Sequence, residues 1–317
     1  MVNKEIALGK TQFNFSQQKA RYEGKVRDVY HIGADRLAIV ASDRISAFDH
    51  LLPSDIPYKG EMLNLIAAHF LRSTADIVEN WLLDIPHPAV AYGKKAEAIP
   101  LEMVIRGYCV GHAWREYKQG KRILCGEALP EGLKENQKFA QPIITPATKA
   151  ASGHDEDISK TEILQQKIVS PEIYQQLERI THALYQRGVE MAEKMGLLLV
   201  DTKYELGLYE GRIILIDEVH TPDSSRYFYA DSYQENFNNS TAQKHLSKEF
   251  VREWLISEGF QGLEGQQMPP MPEERVAIIQ NRYLELYQII MGKSFVKTNR
   301  ENLSDDIYNA VESLIVR

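Results

Sequence analysis

Cysteine is scarce in this chain: Cys109 and Cys125 are the two in 317 residues. Two thiols cannot staple a chain of this length, and their spacing is not that of a zinc site. A reduced, cytoplasmic setting is therefore expected. Long apolar runs are also missing. None spans a bilayer, and residues 1–10 lack the apolar core of a signal peptide, so no membrane role is expected. Positive charge is in deficit, at a net −7. That balance argues against nucleic acid as a partner, because neutralising a phosphate backbone needs a basic surface. A local basic pocket for a small anion is still allowed. The chain has no internal repeat or low-complexity tract. The phosphate loop Gly-x-x-x-x-Gly-Lys-Ser/Thr is absent too. Gly292-Lys293-Ser294 fails it, because Tyr287 stands where the first glycine belongs.

What is present suits a soluble globular protein, with 44% hydrophobic and 26% charged residues. The length favours two domains. Residues 25–30 and 36–41 are short apolar-containing runs around a turn-like stretch, which predicts a hairpin. A polar loop over 42–59 leads to a helix over 61–73, and 100–108 reads as a strand. Residues 120–159 are polar and loop-rich. A helix follows, with Ser170 to cap it, Pro171 in its first turn and Gly196 to end it. Residues 197–200 and 213–216 form a second hairpin around Glu210-Gly211. Helices over 244–257, 273–291 and 305–316 close the chain. The fold class expected is α+β, with a β-rich N-terminal lobe over 1–105 and a larger C-terminal lobe over 106–317.

Five segments carry candidate chemistry. In the first hairpin, Gly24 precedes Lys25 and Arg27, which share a strand face. This is either a flap over nucleotide phosphates or a strand with solvated charges. The loop 42–49 mixes Ser42, Asp43, Arg44 and Ser46. Arginine suits a carboxylate and aspartate an ammonium, so the loop can hold a zwitterion or simply be a capped turn. The run from Ile143 to Lys149, continuing to His154 and Asp155, suits a metal or a phosphate, or is an exposed loop. The fourth segment is sharper. Alternation puts Asp201, Lys203 and Glu205 on one face, and Asp217-Glu218 follow the apolar arm 213–216. Acids beside such a run are costly unless paired or metal-bound, so a Mg²⁺ site is favoured over a salt-bridged surface. The fifth segment, 221–226, is a hydroxyl-rich turn ending in Ser225-Arg226, which suits a phosphate monoester or is an ordinary turn.

Taken in order, GKVRDVY, ASDRISAFD, IPYKG, EMVIRGY, ITPATKA, GHDE, LVDTKYELGLY and DEVHTPDSSR resemble the phosphoribosylaminoimidazole-succinocarboxamide synthase family, in its longer form. The resemblance implies a kinase-like N-terminal lobe, an ATP-grasp-like C-terminal lobe and ATP in the cleft between them. It implies a carbon–nitrogen ligase that joins L-aspartate to carboxyaminoimidazole ribotide at the expense of ATP, by way of an acyl phosphate, in purine biosynthesis. The kinase triplets His-Arg-Asp and Asp-Phe-Gly are absent, which speaks against a phosphotransferase. Residue by residue, it implies ATP contacts from Gly24, Lys25, Arg27, Lys94, Ala98, Glu205 and Asp217. Mg²⁺ falls to Glu205, Asp217 and Asp155. The ribotide falls to Arg106, His112, Asp155, Asp201, Ser225 and Arg226, and L-aspartate to Ser42, Asp43, Arg44 and Ser46. Asp201 and Lys203 stand at the reacting groups. His112 departs from the family, which often has serine there.

Counting along the second hairpin gives a sharper expectation. A regular two-residue turn pairs Glu205 with Ile216 and sends Asp217 to the other face. A shared metal therefore predicts a three-residue loop over 210–212 or a bulge, with Gly211 at positive φ.

Overall fold

The computed structural model describes residues 5–149, 156–246 and 248–316. The fold is α+β, and the chain divides into two compact units. One comprises residues 1–70, 81–95 and 248–317, the other 71–80 and 96–247. The chain thus crosses between units at four places, where the sequence suggested a single cut after residue 105.

The first unit holds β1 (Gln18–Glu23), β2 (Arg27–Ile32) and β3 (Arg36–Ala41), then the short strands β4 (Ser46–Ala47) and β5 (His50–Leu51). Helix α1 (Lys59–Ser73) and strands β6 (Leu82–His87) and β7 (Val90–Lys94) follow. Its antiparallel sheet runs β1-β2-β3-β7-β6. Alternation along β2 buries Asp28, Tyr30 and Ile32 on one face.

The second unit begins with β8 (Glu97–Tyr108), α2 (Gly111–Lys118), β9 (Ile123–Leu124) and β10 (Glu127–Ala128). It continues through β11 (Lys138–Ile144), β12 (Ala147–Thr148), β13 (Glu156–Asp157), α3 (Lys160–Gln165) and α4 (Pro171–Lys194). Then come β14 (Leu197–Tyr209), β15 (Arg212–Ile216), β16 (Ser225–Tyr229), α5 (Ala230–Asn239) and β17 (His245–Leu246). The sheet runs β13-β12-β8-β14-β16-β17, with β11 also on β8 and β15 also on β14. The stretch expected to be loop carries β9 to β13 in part because Cys109, Ala113, Tyr117, Leu124, Leu129, Leu133 and Phe139 form a small core of their own.

The chain then returns to the first unit as α6 (Glu249–Ser257), α7 (Glu273–Met291) and α8 (Leu303–Ile315). The helix expected from 244 starts later, because His245 and Leu246 are taken by the sheet edge beside β16. On α8, Leu303, Ile307, Val311 and Ile315 recur every four residues and pack on Tyr30, Ile32, Ala38 and Val40. This burial is why the last segment belongs with the N-terminal strands and not with the residues that precede it.

Helix α4 opens as expected, with Ser170 Oγ accepting from Ile173 N at 3.3 Å. It packs close to the second sheet. A Cβ on Gly107 would lie 2.1 Å from Tyr185 Oη, and one on Gly188 would lie 2.6 Å from the His220 ring. Glycine at these two positions lets helix and sheet meet.

The β14–β15 hairpin corrects the counted expectation. Tyr209 pairs with Arg212 and Glu205 with Ile216, with no bulge in the ladder. The turn is the two residues Glu210 and Gly211, with φ of 50° and 76°. Two left-handed residues give a type I′ turn, whose twist matches that of the flanking strands. Positive φ at Gly211 held; the three-residue loop did not.

Candidate active site

The polar centre of the second unit lies on one face of β8 and β14. Asp201 pairs with Arg106, Lys203 with Val104 and Glu205 with Glu102. Two-residue spacing keeps Glu102 and Arg106 on the face shared by Asp201, Lys203 and Glu205. Four residues of strand separate Asp201 from Glu205, roughly 13 Å. The charge changes sign over that distance.

At the arginine end, Asp201 Oδ2 accepts from Arg106 Nη1 at 2.9 Å and from Arg226 Nη1 at 2.7 Å. Two guanidiniums thus converge on one carboxylate oxygen. Arg106 Nε also donates to Thr145 Oγ1 at 2.9 Å. Burial works against the Arg106 charge and Asp201 works for it, leaving its pKa below the ordinary arginine value. The guanidinium of Arg226 lies against the start of α2. A Cβ on Gly111 would be 2.3 Å from Arg226 Nη1, and Gly111 has φ of 53°, a left-handed conformation that favours glycine. His112 is the next residue, and its Nε2 lies 2.6 Å from Asp157 Oδ2. That hydrogen bond holds the Asp157 carboxyl below its ordinary range. The N-cap residue of α2, Val110, supplies no side-chain cap, which suits an anion at this end.

At the acidic end, Lys203 Nζ donates to Glu102 Oε1 at 2.5 Å and to Glu205 Oε1 at 3.1 Å. Lys149 also donates to Glu205. Burial alone would lower the Lys203 pKa. Glu205, Glu102 and, further off, Asp217 outweigh it and hold the ammonium protonated above the ordinary lysine range. Glu205 behaves in mirror fashion: burial raises its pKa, but Lys203 and Lys149 bring it below the usual carboxylate value.

The hairpin register bears directly on Asp217. In a continued strand its side chain would face away from Glu205. The strand ends at Ile216, however, and Asp217 has φ of 58°, so alternation no longer governs it. Its field reaches Lys203. The regular two-residue turn therefore removes the cross-strand argument for a metal shared by Glu205 and Asp217; what remains is a left-handed residue just past the strand, whose direction the ladder does not set. Glu102, Glu205 and Asp217 all offer oxygen, the donor Mg²⁺ takes, and the first two are ion-paired to Lys203 and Lys149. This donor set fits the ion in charge and chemistry. Among the described residues no three His, Cys, Asp or Glu side chains close on one point. Substrate phosphates normally complete such a shell. Asp155, the third expected ligand, lies outside the described residues.

Other expectations are redistributed. Ser225 does not join Arg226: successive strand residues face opposite ways, and Ser225 Oγ donates inward to Thr202 Oγ1 at 2.8 Å. Ala98 is exposed on β8. Glu102 shares a strand face with Arg106 by alternation, and Thr145 and Lys149 lie in the run 143–149 noted from the sequence, but none of the three was given a role there. Asp157 was not singled out.

In the first unit, Gly24, Lys25 and Arg27 form the β1–β2 turn, with Gly24 N donating to Arg27 O at 2.8 Å. Lys25 is exposed and donates to Asp49 Oδ1 at 2.6 Å. Lys94 ends β7. Ser42, Asp43 and Arg44 are buried, and Ser46 is half-buried. Arg44 Nη2 donates to Asp28 Oδ1 at 2.8 Å and Nε to Ser42 Oγ at 2.7 Å. Its Nη1 has no hydrogen-bond partner among the described residues. Asp43 was expected to meet an ammonium. Instead its carboxylate turns inward to the Leu8 and Gly60 amides and to Arg300.

Comparison with known proteins gives the family of the chain. The family described as SAICAR synthetase matches residues 20–268. The phosphoribosylaminoimidazole-succinocarboxamide synthase of Bacteroides fragilis is 57% identical over 312 residues, covering 98% of this chain and 99% of its own. That of Cytophaga hutchinsonii is 58% identical over 301 residues, 95% of this chain and 97% of its own. Among solved structures, the SAICAR synthase of Saccharomyces cerevisiae complexed with SAICAR has a TM-score of 0.78 at 31% identity, covering 92% of this chain and all of that one. These matches define an ATP-dependent ligase. The chain belongs to the SAICAR synthetase family, whose reaction joins L-aspartate to carboxyaminoimidazole ribotide in purine biosynthesis.

Proposed function

We propose that this chain catalyses that ligation through an acyl phosphate. A carboxylate is a poor electrophile. Phosphorylating one of its oxygens by ATP makes that oxygen a leaving group. The L-aspartate amine then attacks the carbonyl carbon, the amide forms and inorganic phosphate departs. The observation that carries this reading is the single strand face on which an arginine pair and a lysine–carboxylate cluster stand roughly 13 Å apart. One end suits a phosphate monoester, the other a phosphoryl group in transfer.

At the arginine end, Arg106, Arg226 and His112 beside the uncapped α2 terminus would take the ribotide phosphate, with Asp201 orienting both guanidiniums. At the other end, the protonated Lys203 would neutralise charge developing on the transferring phosphoryl group. Glu205 and Asp217, with Asp155, would hold Mg²⁺, which supplies electrostatic stabilisation of phosphate oxygens when bound. Gly24, Lys25 and Arg27 would cover nucleotide phosphates, and the segment 94–99, which runs from Lys94 in the first unit to Ala98 in the second, would meet adenine. Arg44, through Nη1, and Ser46 would serve L-aspartate, with Ser42 and Asp43 as supports. All three substrates are soluble metabolites, which suits a cytoplasmic enzyme. Among the described residues no helix is long and apolar enough to cross a membrane.

Isotope transfer tests the route. Ribotide labelled with ¹⁸O in its carboxylate should deliver one ¹⁸O to inorganic phosphate per turnover. Phosphate free of label would overturn the acyl phosphate.

A further inference from the structure

We propose that Arg300 is a positioning residue for the loop 42–46, and through that loop for the use of L-aspartate. This rests on the reading of the loop given above. Arg300 lies beyond residues 20–268, the part of the chain the family matches. It is nonetheless buried, at 3% side-chain exposure, in the middle of the first unit.

Its guanidinium joins four pieces of chain. Nη1 donates to Asp43 Oδ2 at 2.5 Å and to Ile6 O at 2.8 Å. Nε and Nη2 both donate to Glu61 Oε1, at 3.0 and 2.6 Å. The plane of the group lies over the Tyr58 ring, 3.9 Å from its centroid. Thr298, two residues earlier, donates to the same Glu61 carboxylate at 2.8 and 3.1 Å. Asp43 completes its shell with the Leu8 amide at 2.8 Å and the Gly60 amide at 2.9 Å.

Burial raises the Glu61 pKa, and Arg300 works against that rise. Without the guanidinium, Asp43 and Glu61 would be buried carboxylates with no full countercharge between them, which is costly. Lysine cannot replace it, because a single ammonium lacks the planar fork that reaches both acids at once. The consequence for the loop follows from chain direction. Asp43 is anchored inward on Arg300, and the next side chain, Arg44, runs instead to Asp28 and Ser42. Releasing Asp43 frees the backbone that sets the direction of Arg44 and Ser46.

The test uses the full chain with Arg300→Met, Arg300→Lys and Thr298→Val. Steady-state KM values for L-aspartate, ATP and ribotide are measured beside hydrogen exchange of the amides over 42–47. Arg300→Met should raise the L-aspartate KM about tenfold or more, with the ATP and ribotide values held within about twofold. Arg300→Lys should fall between it and the wild type, and exchange at 42–47 should quicken while β14 stays protected. If Arg300→Met does not fold, the lysine and Thr298→Val variants carry the same expectation at smaller size. Equal rises in all three KM values, or an unchanged L-aspartate KM, overturn the inference. Ser46→Ala separates this from the underlying reading. If it raises the L-aspartate KM and Arg300→Lys does not, the loop reading stands and the inference falls. If exchange quickens but neither variant moves that KM, the loop is not the L-aspartate loop, and the inference falls with it.

Discussion

The two units each hold arginine–carboxylate pairs, but they use them differently. In the second unit, Arg106 and Arg226 crowd one oxygen of Asp201, and Lys203 bridges Glu102 and Glu205 while about a third of its side chain meets solvent. In the first unit, Asp43, Glu61 and Arg300 are sealed from solvent, and backbone amides and carbonyls complete their bonds. The lesson is that an ion pair alone does not distinguish site from scaffold. What distinguishes them is access: Arg226 and Lys203 keep 23% and 34% of their side chains open to solvent, whereas Arg300 keeps 3%. A sealed pair holds a chain in place; an accessible one can be reached by a ligand.

Substitutions in each unit break this comparison in different ways. Asp28→Asn removes the charge beneath Arg44 and should cost about 3–5 kcal/mol of stability in urea unfolding, because a buried guanidinium loses its counterion. The ribotide KM and the Mg²⁺ requirement should stay as they are; a change in either would make Asp28 part of the site. Asp217→Asn should do the reverse. Its expected effect is a loss of about 100-fold in turnover, or about 2.7 kcal/mol, and a higher Mg²⁺ requirement. Full activity with unaltered Mg²⁺ dependence would detach Asp217 from the metal and leave it a partner of Lys203 alone. Arg226→Lys should be the mildest. Loss of the bidentate fork should weaken ribotide binding by roughly 1–3 kcal/mol and leave ATP almost untouched. Equal losses for both substrates would move Arg226 from the site to the scaffold.

Much of the second unit was legible from the sequence because its chemistry is local. Period-two spacing alone placed Asp201, Lys203 and Glu205 together, and it extends from Arg106 to Glu102. Ser170 and Pro171 at the start of α4 were likewise readable from a few neighbouring residues, whereas the β14–β15 turn was misjudged because a shared metal was assumed in counting its register. The path of Asp217 was not. Its left-handed φ belongs to an aspartate, and nothing in the letter order distinguishes it from one that continues the strand. The pairing of His112 with Asp157 spans 45 residues, and that of Arg300 with Asp43 spans 257. Periodicity carries no information over such distances. For the same reason the loop 42–46 read as either a zwitterion site or a capped turn, when its Asp43 is held by Arg300 far along the chain.

The four crossings between units also impose an order on biosynthesis. The second unit is complete once residue 247 has left the ribosome. The first unit starts earlier in the chain but lacks Arg300 and the apolar face of α8 until residue 315 has been made. At about 5–20 residues per second, its strands wait roughly 10–40 seconds for α8 to cover Tyr30, Ile32 and Val40. The usual N-to-C sequence of domain folding is inverted here: the part made first finishes last.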